Sequence, residues 1–520
     1  MRKLLLLVFF AGLLFTCVRA QSNMGFPVKA TVAQGTLEGR YSTQSGIQTY
    51  FGIPFAAPPV GELRWQPPQP PADYEGVRMA TEFGPRAIQR YVYDDMRFRS
   101  PMASEDCLYL NVWTPARKGQ TGLPVLVYFH GGGNTSGSGD ELRYDGERLA
   151  QDGIVVVTPN YRLGVFGFLA HPELSAEQGG RSGNYGILDQ VAALEWVKEN
   201  IAAFGGDPDR ITIAGESAGS IDVSVLMTSP LSRDLIAGAV GESGAAIDPT
   251  FTPVPLAEGE QNGVAYLEQT DYGSIEELRN APTRDLYETG ILQEDYRFPN
   301  RLVIDDHVLP QTPAEILAAG EQADVPLLVG WTSTEAAFGP PPASAEVYTS
   351  QVRERFGDGA DSLLQYYPAT DAARSSIDLN SDTWIVFSTW KWAELHRQTS
   401  SQPVYRYRFD RVRPALLGQP REQEPPGATH ATDIEYFMNT LDKSDAYDWQ
   451  EADRRTAATM AAYLVNFVKT GDPNGGDLPE WQPLGEGPAS VMHLDEQSAV
   501  RTSEVEDRYR MLDRYYTNQK

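Results

Sequence analysis

The chain has 520 residues, of which 41% are hydrophobic and 10% aromatic, and this composition excludes an intrinsically disordered protein. Its 70 acidic residues against 43 basic residues give a formal net charge of −27, which disfavours nucleic acid and anionic membranes as partners. We therefore expect a large globular protein that binds neither.

The N-terminus has the pattern of an export signal. A short basic segment, Met1 to Lys3, precedes twelve apolar residues from Leu4 to Phe15, and small residues follow up to Ala20. Twelve residues are too few to span a bilayer, so we expect a signal peptide at 1–20 that is removed before Gln21. The expected location is periplasmic or secreted; a membrane anchor, or a lipoprotein attached through Cys17, are the alternatives.

The chain has two cysteines, and Cys17 would leave with the signal peptide. Cys107 would then be alone in the mature protein, so no internal disulfide is expected. Its neighbours are Asp106 and Leu108, with no basic residue to lower the pKa of the thiol. We expect a buried, unreactive cysteine.

Strand-like and helix-like segments alternate through the middle of the chain, which is typical of a mostly parallel sheet covered by helices. The predicted strands are 124–130, 154–159, 210–215, 325–330 and 403–409, and the predicted helices are 184–204, 218–228 and 452–470. Residues 250–320 and 340–400 alternate less regularly, and we expect them to place helices over the catalytic face. The predicted class is α/β, with a large, mostly parallel mixed sheet and helices on both faces.

A small-residue turn joins the strand 210–215 to the helix 218–228. Its sequence is Gly215-Glu216-Ser217-Ala218-Gly219, which has the G-x-S-x-G spacing of a nucleophile elbow. In such an elbow the serine hydroxyl is exposed at a helix N-terminus, where the helix dipole stabilises negative charge. The sequence therefore predicts Ser217 as a nucleophile.

A glycine-rich loop follows the predicted strand 124–130. It reads His130-Gly131-Gly132-Gly133, and glycines let backbone N–H groups approach a reacting oxygen closely. An oxyanion hole needs such donors. We assign the donors to Gly132, Gly133 and Ala218, and a structural role to His130.

The general base is sought among six histidines. In this type of site the chain order is serine, acid, histidine, so His130 and His171 are excluded. The four that remain are His307, His396, His430 and His493. His430 lies in a loop of small residues, 427–433, which suits a mobile base, but composition alone leaves the choice open.

The acid is harder to select among 70 carboxylates. Glu335 follows the predicted strand 325–330, and the acid of such sites lies on a loop after a strand. Position alone leaves Asp305, Asp306 and Asp433 as alternatives.

Several longer motifs occur in a fixed order from Thr31 to the C-terminus. They are YFGIPF at 50–55, PVGELRW at 59–65, SEDCLYLNVW at 104–113, YRLG at 161–164, GNYG at 183–186, FGGDP at 204–208 and TGDPN at 470–474. With these motifs the chain resembles the type-B carboxylesterases, a family that includes bacterial para-nitrobenzyl esterases and the cholinesterases.

The resemblance implies an α/β-hydrolase fold, with residues 21–520 forming one domain that has helical insertions around the active site. It also implies a triad of Ser217, Glu335 and His430. Ser243 matches a family serine near the acid, and we expect Ser243 and Glu216 to support the triad.

The sequence departs from the family pattern at two positions. Ala87 stands where the family often has the disulfide partner of the cysteine equivalent to Cys107. Asp433 replaces the glutamate that usually follows the histidine. Neither change affects the triad.

The expected activity is that of an exported serine carboxylesterase acting on a small-molecule ester through an acyl-serine intermediate. A lipase, an amidase or a transacylase with the same triad is an alternative, and a non-catalytic adhesion module is an alternative of another class. No metal or organic cofactor is expected, because no cluster of histidine, cysteine and aspartate has ligand spacing. Activity should fall as His430 is protonated, near the usual histidine pKa of ~6.5.

Overall fold

The computed structural model describes residues 25–93, 95–292, 301–337, 339–418 and 424–519. The predicted signal peptide, with Cys17, lies outside the described residues.

The described residues contain fifteen strands. They are β1 (Phe26–Val32), β2 (Gly35–Tyr41), β3 (Gln48–Pro54), β4 (Val77–Met79), β5 (Tyr109–Thr114), β6 (Leu123–Phe129), β7 (Val155–Pro159), β8 (Gly206–Glu216), β9 (Gly238–Glu242), β10 (Val254–Pro255), β11 (Val303–Ile304), β12 (Leu327–Thr332), β13 (Val404–Phe409), β14 (Ser490–Leu494) and β15 (Ala499–Thr502).

Thirteen of these strands form one mixed sheet in the described part of the chain, in the order β1-β2-β3-β5-β7-β6-β8-β9-β12-β13-β14-β15, with β4 beside β2. The strands from β7 to β14 in this order are parallel to one another, and antiparallel strands lie at both edges. Strands β10 and β11 form a separate two-stranded sheet.

The same residues contain sixteen α-helices. They are α1 (Glu147–Gln151), α2 (Gly164–Phe168), α3 (Pro172–Glu177), α4 (Tyr185–Asn200), α5 (Ala218–Thr228), α6 (Leu256–Leu267), α7 (Ile275–Asn280), α8 (Thr283–Tyr287), α9 (Pro313–Ala319), α10 (Ala345–Phe356), α11 (Ala360–Tyr366), α12 (Ala372–Ser381), α13 (Phe387–Thr399), α14 (Ile434–Phe437), α15 (Glu451–Thr470) and α16 (Glu506–Thr517). Short 3₁₀ and π-helical turns add to these; Ile201–Phe204 extends α4, and Asp382–Val386 joins α12 to α13.

The central strands are buried on both faces, which explains their continuous runs of apolar residues. Successive side chains of a strand point to opposite faces. Val125 and Val127 of β6 therefore pack in one core cluster with Leu194 of α4, whereas Leu126 packs in a second cluster with Met460 of α15. Helices thus cover both faces of the sheet, as predicted.

The strongly patterned elements were predicted with small errors at their ends. The helix α5 begins and ends where the sequence predicts it, and β8 starts four residues earlier than predicted. The sequence analysis did not identify β1 to β5, β9 to β11, β14, β15, α1 to α3, α14 or α16. Several of the missed strands near the sheet edges are short and partly exposed. The central strand β9 is fully buried, but its five residues include two glycines and a glutamate, so it also lacks a continuous apolar run.

The less regular segments fold largely as helices. Residues 345–399 form α10 to α13, as expected, and the described residues of the range 250–320 form α6 to α9 together with β10 and β11. Cys107 is buried and forms no disulfide within the described residues, and burial raises its thiol pKa well above the usual value. Over the same part of the chain, no helix has both the length and the apolar composition needed to cross a bilayer.

Candidate active site

The carboxyl ends of the parallel strands bring distant parts of the chain together at one edge of the sheet, where ligands of open α/β sheets bind. Ser217 directly follows β8, Ser243 follows β9, and Glu335 follows β12 by three residues. The glycine-rich loop begins where β6 ends. The loop with His430 lies beside the loop after β12, because Thr334 pairs with Thr429.

Ser217 occupies a strained turn between β8 and α5. Its φ and ψ are 55° and −119°, a conformation that residues with a side chain rarely adopt. A Cβ on Gly219 would lie 2.2 Å from the carbonyl oxygen of Phe129, so only glycine permits α5 to approach β6 this closely. The backbone thus fixes the serine hydroxyl at the N-terminus of a buried helix.

A hydrogen-bonded series connects three of the predicted side chains. His430 Nε2 lies 2.9 Å from Ser217 Oγ, and His430 Nδ1 lies 2.6 Å from Glu335 Oε2. Because Glu335 accepts the hydrogen bond, Nδ1 carries the proton and Nε2 is left to accept from the serine hydroxyl. This is the tautomer that a general base toward the serine requires.

The carboxylate of Glu335 is held in a fixed orientation. The backbone N–H of Thr332 donates to Oε1 (2.7 Å), and the Ser243 hydroxyl donates to the same oxygen (2.6 Å). Both partners are buried. The structure therefore places Ser243 against Glu335, on the side away from His430.

His430 is enclosed by an aromatic ring and by carboxylates. The ring of Trp384 meets the imidazole edge to face at a centroid distance of 4.8 Å, and Glu216 Oε1 lies 3.3 Å from Nε2. Burial alone lowers the pKa of His430, but the carboxylates of Glu216 and Glu335 outweigh it and raise that pKa to about 9. This differs from the ordinary value that the sequence suggested, because the sequence does not show that Glu216 faces the imidazole.

Three further buried carboxyls surround this series. Burial raises the pKa of Glu216 to about 8 and that of Asp433 to about 7, and it raises the pKa of Glu242 well above its usual value. The Tyr407 hydroxyl donates to Asp433 (2.9 Å), and the Tyr128 hydroxyl donates to Glu242 (3.1 Å). Burial therefore opposes ionisation of each of these carboxyls, and at Glu216 the positive charge of a protonated His430 partly offsets that effect.

The glycine-rich loop passes directly over the serine. A Cβ on Gly131 would lie 3.2 Å from the Cβ of Ser217, and Gly132 and Gly133 have φ values of 109° and 65°. In the described part of the chain, the backbone N–H groups of Gly132, Gly133 and Ala218 donate to no protein acceptor. These amides are thus available to an oxygen bound next to Ser217.

Four other histidines make contacts outside the series from Ser217 to Glu335. His130 stacks on Tyr161 with ring centroids 4.4 Å apart, and burial lowers its pKa to about 4. His396 Nε2 lies 2.9 Å from the carbonyl oxygen of Val325, and His493 Nδ1 lies 2.6 Å from Asp410. His307 lines a surface pocket with Arg181.

The alternative acids make their hydrogen bonds to groups other than His430. Asp305 accepts hydrogen bonds from Asn184 and from the backbone of His307, Val308 and Leu309. Asp306 adjoins it in a turn with a positive φ of 58°. Asp433 lies near the imidazole, but its hydrogen bond is with Tyr407.

Two contributors to the site were missed by the sequence analysis. Trp384 lies in the turn between α12 and α13, and no local pattern marks its contact with His430. Glu242 precedes Ser243 at the end of β9, a position that could have been recognised once the sheet edge was known.

The described residues contain no group of three or more histidine, cysteine, aspartate and glutamate side chains arranged to hold a metal ion. A positioned hydroxyl, an imidazole that accepts its proton and free amides beside it are the parts needed for acyl transfer.

Sequence comparisons match this chain to a protein family and to individual esterases. A family model described as "Carboxylesterase family" matches residues 27–512. Fumonisin B1 esterase from Sphingopyxis macrogoltabida is 36% identical over an alignment of 499 residues that covers 89% of this chain and 85% of that protein. Para-nitrobenzyl esterase from Bacillus subtilis (strain 168) is 32% identical over an alignment of 506 residues that covers 93% of this chain and 98% of that protein.

A solved structure of a PNB esterase superposes on this chain with a TM-score of 0.79 and 30% identity, covering 93% of this chain and 99% of the other. A carboxylesterase structure from Geobacillus stearothermophilus gives a TM-score of 0.79 and 31% identity at the same coverage. These structures confirm the predicted α/β-hydrolase fold.

Proposed function

This chain belongs to the carboxylesterase family and is a carboxylic ester hydrolase, and on that premise we propose that it acts through an acyl-enzyme intermediate on Ser217. The observation that supports this most directly is the series from Ser217 Oγ through His430 to Glu335, with distances of 2.9 and 2.6 Å. An isolated serine hydroxyl is a weak nucleophile at neutral pH, and this series supplies the base that activates it.

In the first half of the reaction, Ser217 Oγ attacks the ester carbonyl carbon while its proton passes to His430 Nε2. The positive imidazolium that forms is stabilised by Glu335, which keeps its orientation through Thr332 and Ser243. The carbonyl oxygen becomes an oxyanion and accepts from the amides of Gly132, Gly133 and Ala218. Such donors stabilise the transition state by about 2.7–4 kcal/mol each.

The tetrahedral intermediate then expels the alcohol, which takes the proton from His430, and this completes the first half. The acyl group remains on Ser217 as an ester. A water molecule then gives a proton to His430 Nε2 and attacks the acyl carbon, and the carboxylic acid leaves as Oγ regains its proton. No metal ion or organic cofactor takes part in this sequence.

The test compares the mature protein with Ser217→Ala on p-nitrophenyl acetate, butyrate and octanoate. We expect turnover by the wild type and background rates by the variant. Ser350→Ala is the matched control, because Ser350 is exposed on α10. Intact mass after a rapid quench should show the acyl adduct on the wild type alone. Equal activity of Ser217→Ala and wild type would refute the proposal.

The substrate is proposed to be a small-molecule ester, since the relatives are named for hydrolysing such compounds. A lipase would prefer emulsified triglyceride over the soluble octanoate, and a transacylase would form more ester than acid when an added alcohol competes with water. Comparing these products in the same assay separates both alternatives from simple hydrolysis.

We also propose that the protein is exported and that residues 21–520 form its one mature domain. The basic start and the twelve-residue apolar run of the sequence support this. The intact mass of the protein recovered from the periplasm or the medium should correspond to a chain that begins at Gln21. Recovery of the uncleaved chain from the cytoplasm would contradict the proposal.

A further inference from the structure

A carboxyl group outside the triad joins the nucleophile helix to the glycine-rich loop. Asp222 lies on α5, five residues after Ser217, and is fully buried. Asn134 Nδ2 donates to Asp222 Oδ1 (3.2 Å), and Gln190 Nε2 donates to Asp222 Oδ2 (2.6 Å). One carboxyl thereby connects α5, α4 and the loop that follows β6.

Asn134 directly follows the three glycines, so its position determines where their amides point. Its backbone has a φ of 54°, and its carbonyl oxygen accepts from the N–H of Gly164 (2.7 Å). Its side-chain oxygen lies 3.3 Å from the Tyr161 hydroxyl, which donates to the carbonyl of His130 (2.7 Å). Asn134 is therefore fixed from both the backbone and the side chain.

The oxyanion hole proposed above combines donors from two separate segments. Gly132 and Gly133 belong to the loop and Ala218 belongs to α5, so the segments must keep a constant distance from each other. Geometric errors of about 1 Å in such donors cost about 100-fold in rate. The hydrogen bond between Asn134 and Asp222 joins these two segments directly.

We propose that Asp222 is a positioning residue that sets the oxyanion hole by holding Asn134, and hence Gly132 and Gly133, against the nucleophile helix. This inference rests on the proposed function of Ser217 and extends it to a residue that does not touch the ester. Asp222 acts through Asn134 alone, and Gln190 orients the carboxyl from the opposite side.

The chemistry of the carboxyl identifies an informative pair of variants. Burial raises the pKa of Asp222 to about 7, although the amides of Gln190 and Asn134 oppose this. The side-chain oxygen of Gln190 is buried and has no partner among the described residues. In Asp222→Asn, the new amide oxygen can accept from Asn134, and its NH₂ group can donate to Gln190 once the glutamine amide turns over.

Asp222→Ala removes the acceptor from both amides and leaves them buried, whereas Asp222→Asn preserves the connection. We expect kcat to fall about 10- to 100-fold in Asp222→Ala, with KM changed by less than about threefold, because the ester ground state does not use the oxyanion hole fully. Asp222→Asn should keep kcat within about threefold of the wild type.

A second readout depends on the oxyanion hole itself. Ser217 Oγ attacks the carbonyl carbon of a trifluoromethyl ketone that carries the preferred acyl chain. The resulting adduct places an oxyanion in the hole. Its affinity should fall in Asp222→Ala by the same factor as kcat/KM. Ser350→Ala, at an exposed serine of α10, should leave both quantities unchanged.

If Asp222→Ala does not fold, Asn134→Gly decides the question, because glycine accepts the positive φ and only the side chain is removed. It should lower kcat to the same extent as expected for Asp222→Ala. Where Asp222→Ala does fold, the double variant Asp222→Ala/Asn134→Gly should lose no more kcat than either single variant.

The inference is overturned if Asp222→Ala, or Asn134→Gly in its place, keeps wild-type kcat and ketone affinity while Ser217→Ala is inactive. It is also overturned if Asp222→Asn is as impaired as Asp222→Ala. A wild-type enzyme no more active than Ser217→Ala would refute the proposed function instead, so the two failures are distinguishable.

Discussion

At the scale of single residues, the chemistry of the site depends on charges that the fold places around one imidazole. Glu335 holds Nδ1 at 2.6 Å, and Glu216 lies 3.3 Å from Nε2. Both carboxylates favour the protonated imidazole, whereas the proposed mechanism needs a neutral imidazole that accepts a proton from Ser217. In that mechanism the same residues orient the base and set the pH at which it works.

The pH profile follows from this balance. Because the pKa of His430 is raised to about 9, the neutral base is lost as the pH falls, starting from a higher pH than an ordinary histidine would give. The acid limb of kcat/KM should therefore have its midpoint above ~6.5. A plot of kcat/KM for p-nitrophenyl butyrate against pH measures it.

The isosteric Glu216→Gln removes one of the charges that raise this pKa. We expect the acid limb to move to lower pH by about one unit, with Glu335 as the remaining charge. Glu62→Gln, at an exposed carboxyl, is the control and should leave the limb in place. An unchanged limb in Glu216→Gln would show that Glu216 is already neutral when His430 titrates.

At the scale of elements, the position of the nucleophile depends on how closely α5 approaches β6. Gly219 permits that approach, because a Cβ there would lie 2.2 Å from one backbone oxygen and 3.0 Å from the next. The nearer oxygen belongs to Phe129, the last residue of the central strand β6, and cannot move aside cheaply.

Gly219→Ala should therefore displace α5, lowering both thermal stability and kcat, the latter by at least about tenfold. The kcat and the melting temperature are compared with those of Gly487→Ala. A Cβ on Gly487 would meet no atom within 4 Å, so this variant should match the wild type. Equal behaviour of the two variants would mean that the close approach has no functional consequence.

A buried ion pair attaches the last helix to the sheet. Arg406 of β13 is fully buried and pairs with Glu506, the first residue of α16. The indole N–H of Trp390, on α13, donates to the same carboxylate (3.0 Å). Burial raises the pKa of Glu506, but Arg406 and the hydrogen bonds outweigh it, so that pKa is lowered.

Glu506→Ala should leave the guanidinium of Arg406 buried without its charge partner and lower the free energy of unfolding by about 3–5 kcal/mol. The loss should be visible above the unfolded-state pKa of glutamate and should shrink as the pH falls through the lowered folded-state pKa. Urea unfolding at several pH values measures it.

Glu288→Gln is the control, since it breaks an exposed pair with Arg284. It should not shift the urea midpoint, because exposed pairs contribute little. If Glu506→Ala also left the urea midpoint nearly unchanged, water would be solvating Arg406 in place of the Glu506 carboxylate.

At the scale of the whole molecule, the excess of acidic residues gives the chain a large negative net charge. The formal net charge is −27, and the field of such a charge attracts cations and is screened by salt over about 10 Å at 0.1 M. The buried acidic groups near Ser217 do not determine this long-range effect; the sum over the surface does.

A cationic ester should therefore lose part of its advantage when salt is added. We expect the ratio of kcat/KM for a choline ester to that for its uncharged 3,3-dimethylbutyl isostere to fall several-fold between low and high salt. The uncharged ester is the internal control. A ratio that is independent of NaCl concentration would show that the charge is too distant from the entrance to steer substrates.

The amino-acid sequence by itself determined the features that depend on neighbouring residues. Ser217, the glycine-rich loop and five of the parallel strands (β6, β7, β8, β12 and β13) were predicted because each is a local pattern: a turn between a strand and a helix, three adjacent glycines, or a continuous apolar run. The order of the longer motifs indicated the family, and the family indicated Glu335 and His430.

Only the tertiary structure decided which of these groups meet, since their contacts join residues far apart in the chain. His430 and Ser217 are separated by 213 positions, and Asn134 and Asp222 by 88. Nothing in the local sequence shows that Glu216 faces the imidazole or that Asp222 faces the glycine-rich loop. Distances and pKa shifts are properties of packed neighbours, and packing across a thirteen-stranded sheet of the described residues brings those neighbours together from every part of the chain.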